Sequence, residues 1–137
     1  NIAIIGSAKT GFSFNPNNDF QLFSAASDVD FALVSSRHFH RFWDAYIEVA
    51  QREYVPDYAW IARSIFRRFV TISEDQPLIH DDFASWQRLV GPFKKDLQTT
   101  FGIPNKVQYR IYDSWEAVEL YHLDGIKKLR TKLVGGP

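Results

Sequence analysis

Ser27-Asp28-Val29-Asp30-Phe31-Ala32-Leu33-Val34 is the stretch on which the fold of this 137-residue chain turns. The run from Val29 to Val34 is short and apolar apart from Asp30, the pattern of a buried strand, and two carboxylates, Asp28 and Asp30, stand at its mouth. Strand side chains alternate between faces, so Asp28 and Asp30 point the same way, with Cα atoms about 6.6 Å apart at a rise of roughly 3.3 Å per residue. Two acids side by side at the edge of an apolar core raise each other's pKa unless a hard cation or a cationic group lies between them. A divalent metal is the simplest partner for such a pair. The competing reading is a Ser-Asp turn entering a strand, with both acids solvated or bonded to local backbone.

Upstream, Ile2-Ala3-Ile4-Ile5 is a second apolar run, stopped by Gly6-Ser7. Downstream, Ser35-Ser36 suits a helix cap, and the spacing predicts a helix from Arg37 to about Ala50. A further helix is expected from Tyr58 to roughly Phe69, with Ile61, Ile65 and Phe69 on one face. Asp81 to Leu89 reads as a helix broken at Gly91-Pro92, with Pro92 opening another that ends near Gly102. Lys106 to Tyr112 alternates as a strand, placing Val107, Tyr109 and Ile111 on one side and Gln108, Arg110 and Tyr112 on the other. Asp113-x-x-Glu116 fits a reciprocal cap for a last helix, Ser114 to Leu133. Phe12 to Ser27 reads as a long loop whose phenylalanines hold it down. The order implies an α+β fold, an α/β sandwich in which helices pack on a small mixed sheet.

Composition narrows the function. Length fits one domain over residues 1–137 with a sizeable core. Sixteen basic and sixteen acidic residues give zero formal charge, so any polyanion site must be local. Absence of cysteine removes disulfides, zinc thiolates and thiol nucleophiles. No run is apolar enough to span a membrane, and a cytoplasmic protein is expected. Asn1 leads straight into a strand and no methionine occurs, so an N-terminal segment, and a partner domain in a longer chain, are expected as well.

Gly6-Ser7 after an apolar strand, with Asp28-x-Asp30 entering the next, resembles the DNA polymerase beta-like nucleotidyltransferase superfamily. In particular, Ile5-Gly-Ser-Ala-Lys-Thr-Gly-Phe-Ser13 with Ser27-Asp-Val-Asp-Phe31 is similar to minimal bacterial nucleotidyltransferase domains of defence and toxin-type loci. The matching motifs occupy residues 2–34. The resemblance implies that Asp28 and Asp30 are catalytic and bind Mg²⁺ or Mn²⁺, and that Gly6 and Ser7 cradle phosphate. It implies transfer of a nucleoside monophosphate from an NTP to a hydroxyl on RNA, DNA, protein or a small molecule, with pyrophosphate release. Lys9 and Thr10 would add charge and a donor, Lys9 being equally readable as an ordinary solvated side chain.

Two departures from the family pattern matter. The stretch from Ser7 to Asp28 is longer than usual and implies an insertion. The strand Lys106 to Tyr112 offers Gln108 and Arg110 where a third carboxylate would stand. The alternative is therefore a catalytically weak nucleotide-binding or regulatory module on the same fold, and a purely structural interaction domain is the third reading. Arg63, Arg67 and Arg68 read as a solvated helix face or a nucleic-acid contact. His38 and His40 lie about 200° apart on a helix and make no metal pair. His80 and His122 read as surface or hydrogen-bonded side chains.

Overall fold

A computed structural model of the chain describes residues 1–73 and 79–135. Four strands form one sheet: β1 (Ile2–Ile5), β2 (Val29–Val34), β3 (Phe69–Val70) and β4 (Val107–Tyr112). Five helices accompany them: α1 (Ser7–Thr10), α2 (Ser36–Arg52), α3 (Tyr58–Phe66), α4 (Asp81–Thr99) and α5 (Trp115–Val134). The sheet order is β1-β2-β4-β3. The central pair β2·β4 is parallel and both edge strands run antiparallel to their neighbours. A parallel central pair requires cover on both faces, which is why β2 is apolar at every position after Asp30.

Helices α2 and α4 cover one face. Phe39, Phe42 and Tyr46 from α2 meet Phe83 and Trp86 from α4 over Ile111, all buried. Helix α5 covers the other face, where Ala117 and Val118 pack with Ile5, Ala32, Phe69 and Tyr112. The expected α+β sandwich with a small mixed sheet is the architecture found. Truncating a fully enclosed ring such as Phe42 would cost about 3–5 kcal/mol, because the vacated volume cannot collapse in a dense core. Ser35 caps α2 as the sequence suggests, its Oγ accepting from the His38 amide at 3.3 Å.

Three local expectations are corrected. Helix α4 runs unbroken from Asp81 to Thr99 through Gly91-Pro92. An interior proline costs about 3 kcal/mol, but packing holds the helix on both sides of it. Phe83 and Trp86 anchor the first half, while Phe93 meets Phe31 at 5.7 Å and Leu97 packs against the start of β2. Phe69 lies not in α3 but in β3, fully buried. Periodicity carried the helix too far because Phe69 continues the Ile61 and Ile65 face, whereas Arg68 adopts φ 64° and turns the chain into the sheet. Asp113 does not cap α5: Ser114 does, accepting from the Ala117 amide, and Asp113 pairs with Arg68 at 2.6 Å.

The segment from Phe12 to Ser27 is more ordered than a plain loop. It holds a 3-10 turn at Pro16–Asn18 and a bridge between Phe12 and Leu22. Phe12 contacts Phe14 and Phe20, and Phe23 packs beside Val29 and Val107. Lys132 of α5 bonds Asp19 and the Pro16 carbonyl, fastening the segment to the last helix. No helix among the described residues is long and apolar enough to cross a membrane.

Candidate functional site

Antiparallel pairing of β1 with β2 sets Ile5 opposite Asp30. The chain leaves β1 at Ile5, so the Gly6-Ser7 turn is delivered beside the aspartates by register alone. Gly6 takes φ 65°, ψ −154°, a region open essentially only to glycine. A Cβ at Gly6 would stand 3.0 Å from Asp30 Oδ2. Both the conformation and the close approach therefore require glycine.

Parallel pairing of β2 with β4 sets Asp30 opposite Gln108, and Ala32 opposite Arg110. Gln108 Nε2 donates to Asp28 Oδ2 at 2.8 Å, fixing that carboxylate. Asp30 has Oδ2 4.0 Å from an Arg110 nitrogen, while its Oδ1 is buried without a partner. Burial pushes the Asp30 carboxyl above the usual carboxylate range; Arg110 opposes the shift and Asp28 adds to it.

Gly6, Asp28 and Asp30 line the floor of a cleft of about 1070 Å³. Asn15, Asn17 and Gln21 from the long connecting segment make one wall. The other wall is cationic: Arg63 from α3, Arg67 at the C-terminal cap of α3, and Lys127 and Lys128 from α5. Arg110 lies between, within 5.6 Å of the Phe69 ring centre and 5.0 Å of that of Tyr121, which also carries Arg67 at 5.7 Å. Such stacking holds guanidinium groups in place while leaving their N–H edges to bond anions.

Of the site residues expected from sequence, Gly6, Ser7, Asp28 and Asp30 line this one cleft. Lys9 and Thr10 do not. Lys9 is exposed outside it, and the Thr10 hydroxyl donates within its own turn, to the carbonyls of Gly6 and Phe12. The sequence reading groups Arg63 and Arg67 with Arg68 as a solvated face or nucleic-acid contact, and does not join them to this cleft or to Lys127 and Lys128. Arg63 in α3 and Arg67 at its C-terminal cap are four residues apart, about one turn, a spacing that sets them on one side and separates them from Arg68. His122, which reads from sequence as a surface or hydrogen-bonded side chain, instead lines the cleft with a buried, unpartnered Nε2 and a pKa pushed down by burial and by Arg110.

Two carboxylates, one with an orphaned buried oxygen, are hard ligands of the kind a divalent cation takes. The donor set thus fits Mg²⁺ or Mn²⁺ through Asp28 and Asp30. It stops at two acids: among the described residues no group of three His, Cys, Asp or Glu converges for a metal. Asp124, on the α5 side of the cleft, is tied to Lys128 at 2.6 Å. His38 and His40 bond Ser35 and Ser36 locally, and His80 caps α4. Comparison with protein-family models, curated proteins and solved structures gives no match for this chain.

Proposed function

We propose that the cleft binds a nucleoside triphosphate together with a divalent cation and transfers its nucleoside monophosphate to a hydroxyl acceptor. The observation that carries this reading is the charge make-up of one cleft: Asp28 and Asp30, the latter with a buried unsatisfied oxygen, line it together with Arg63, Arg67, Lys127 and Lys128, of which Lys128 is paired with Asp124. A polyanion held by the wall would place part of its charge near the floor, where a cation must separate the two. The resemblance of residues 2–34 to nucleotidyltransferases supports the same assignment. Mg²⁺ or Mn²⁺ on Asp28 and Asp30 would neutralise phosphate charge and lower the pKa of the attacking hydroxyl. Gly6, lacking a side chain, lets a phosphate approach the turn, and Ser7 offers a hydroxyl. Arg63, Arg67, Lys127 and Lys128 would hold the β and γ phosphates as the bond from the α phosphorus to its bridging oxygen breaks and pyrophosphate leaves.

A second reading, nucleotide binding without efficient turnover, is favoured by one feature. Gln108 and Arg110 occupy the β4 positions beside the aspartates, where an acid would complete a metal cage.

Calorimetric titration of each NTP with and without Mg²⁺, on wild type and on Asp28→Asn/Asp30→Asn, tests both. Metal-dependent affinity lost in the double variant supports the site, and pyrophosphate release then selects the enzyme over the binding module. Nucleotide affinity that ignores both metal and the double variant would sink the assignment.

A further inference from the structure

Helix α5 is apolar on two sides. Ala117, Val118 and Leu129 are buried against the body of the protein. On another side, Glu119, Leu123, Ile126, Arg130 and Leu133 recur at spacings of four, three, four and three, the period of a helix–helix seam. At 100° per residue these five fall within an arc of about 80°. Neither the buried trio nor the cleft residues Asp124, Gly125, Lys127 and Lys128 share that arc. The seam is open to solvent: Leu123 is 48% exposed, Ile126 43% and Leu133 60%, with Trp115 at its head 43% exposed. Three exposed apolar side chains in one arc, flanked by Glu119 and interrupted by Arg130, mark a docking surface of mixed apolar and charged character.

We propose that the occupant is a second copy of this chain, whose α5 packs antiparallel on the first about a two-fold axis. The charges select both the partner and the direction. With the axis midway between Leu123 and Ile126, Leu123 meets the partner's Ile126, Glu119 meets the partner's Arg130, and each pair occurs twice. A parallel arrangement would set Glu119 against Glu119 and Arg130 against Arg130, so like charges reject it. No ion pair among the described residues engages Glu119 or Arg130. Zero formal charge leaves no bulk repulsion between copies. A 20-residue helix gives a contact line about 30 Å long. The nucleotide cleft lies on another side of α5 and stays open in the dimer, so this inference stands independently of the proposed activity.

Sedimentation velocity and light scattering on the chain test it. The wild type is expected to be a dimer, of twice the 15.9 kDa chain mass, at concentrations on the order of 100 μM. Leu123→Lys/Ile126→Lys, both at exposed positions, should be monomeric with an unchanged circular dichroism spectrum. Glu119→Arg alone and Arg130→Glu alone should each weaken association about tenfold, and the two together should restore it. A monomeric wild type, or a dimer that survives the double lysine variant, overturns the proposal. Failure of the paired charge reversal to recover association overturns the antiparallel arrangement.

Discussion

Gly6 and Asp30 are in such close approach that the glycine's missing side chain is part of the aspartate's environment: a Cβ would come within 3.0 Å of Oδ2. The same residue holds φ 65°, ψ −154°, which an L side chain adopts only under strain. Gly6→Ala therefore meets two penalties at once. Neither can be relieved by moving Asp30 alone, since the backbone strain remains. The expected loss is about 1–3 kcal/mol of folding stability, read by urea unfolding, with weaker Mg²⁺-dependent NTP binding in the fraction that folds. Unchanged stability would mean that the turn relaxes freely and is not held rigid by the pairing of Ile5 with Asp30.

Asp30 gives a pH signature whose sign distinguishes it from the other perturbed acids. Its carboxyl is raised by burial, so in the folded protein it takes up a proton at a higher pH than in the unfolded chain. The folded state then gains stability, relative to an Asp30→Asn variant, as pH falls from neutrality through the raised value towards the ordinary 3.8. Asp82 and Asp113 behave oppositely. Their hydrogen bonds from Arg41 and Arg68 lower the carboxyl, so their contribution is present above 3.8 and is lost as pH falls through the lower folded values. Comparing denaturation midpoints of wild type and Asp30→Asn between neutrality and pH 4 isolates the Asp30 effect. Saturating Mg²⁺ should diminish it, because a bound cation favours the ionised form. A difference that does not move with pH would contradict the buried, unpartnered geometry.

Much of the sheet was legible because its signals are local. Ile2–Ile5, Val29–Val34 and the alternation of residues 107–112 each declare a strand within a few residues, and Gly6-Ser7 declares a turn. What escaped depends on partners far along the chain. The two-residue strand at Phe69 exists through pairing with Tyr112, and the helix through Pro92 survives through contacts with β2 and α2. The floor of the site could be read for the same reason as the sheet, since its acids and its turn lie inside strand motifs. The cationic wall was legible only in part: Arg63 and Arg67 read as a basic face, but only the packing of α3 and α5 brings them to the same opening as Lys127 and Lys128.

That wall should carry the phosphate affinity. Arg63 is exposed along the cleft and takes part in no ion pair among the described residues. Its replacement by glutamate reverses a charge without disturbing the core. Arg63→Glu is expected to weaken NTP binding by roughly ten- to a hundredfold at low salt, with a smaller effect at high salt, where exposed charges are screened. Fold stability should change by less than about 0.5 kcal/mol. Titration calorimetry at two ionic strengths checks it, and an affinity indifferent to both substitution and salt would place the phosphates elsewhere.

Gln108 stands opposite Asp30 in the parallel register and bonds Asp28 directly, so it is the position from which a third acid would reach the pair. Gln108→Glu exchanges the 2.8 Å donor for a carboxylate. Without metal, two negative oxygens then face one another and Asp28 loses its bond, so the apo protein should be less stable than wild type. Divalent cation reverses the balance: a third hard oxygen ligand raises the charge of the site, and Mn²⁺ affinity should rise by about tenfold or more. Calorimetric Mn²⁺ titration and metal-dependent thermal shifts measure the two halves separately. A variant that loses stability without gaining affinity would show that Arg110, already 4.0 Å from Asp30, occupies the space a cation needs. In that case turnover would be rescued only by also replacing Arg110 with a neutral residue, and pyrophosphate release from the Gln108→Glu/Arg110→Gln double variant decides between the two.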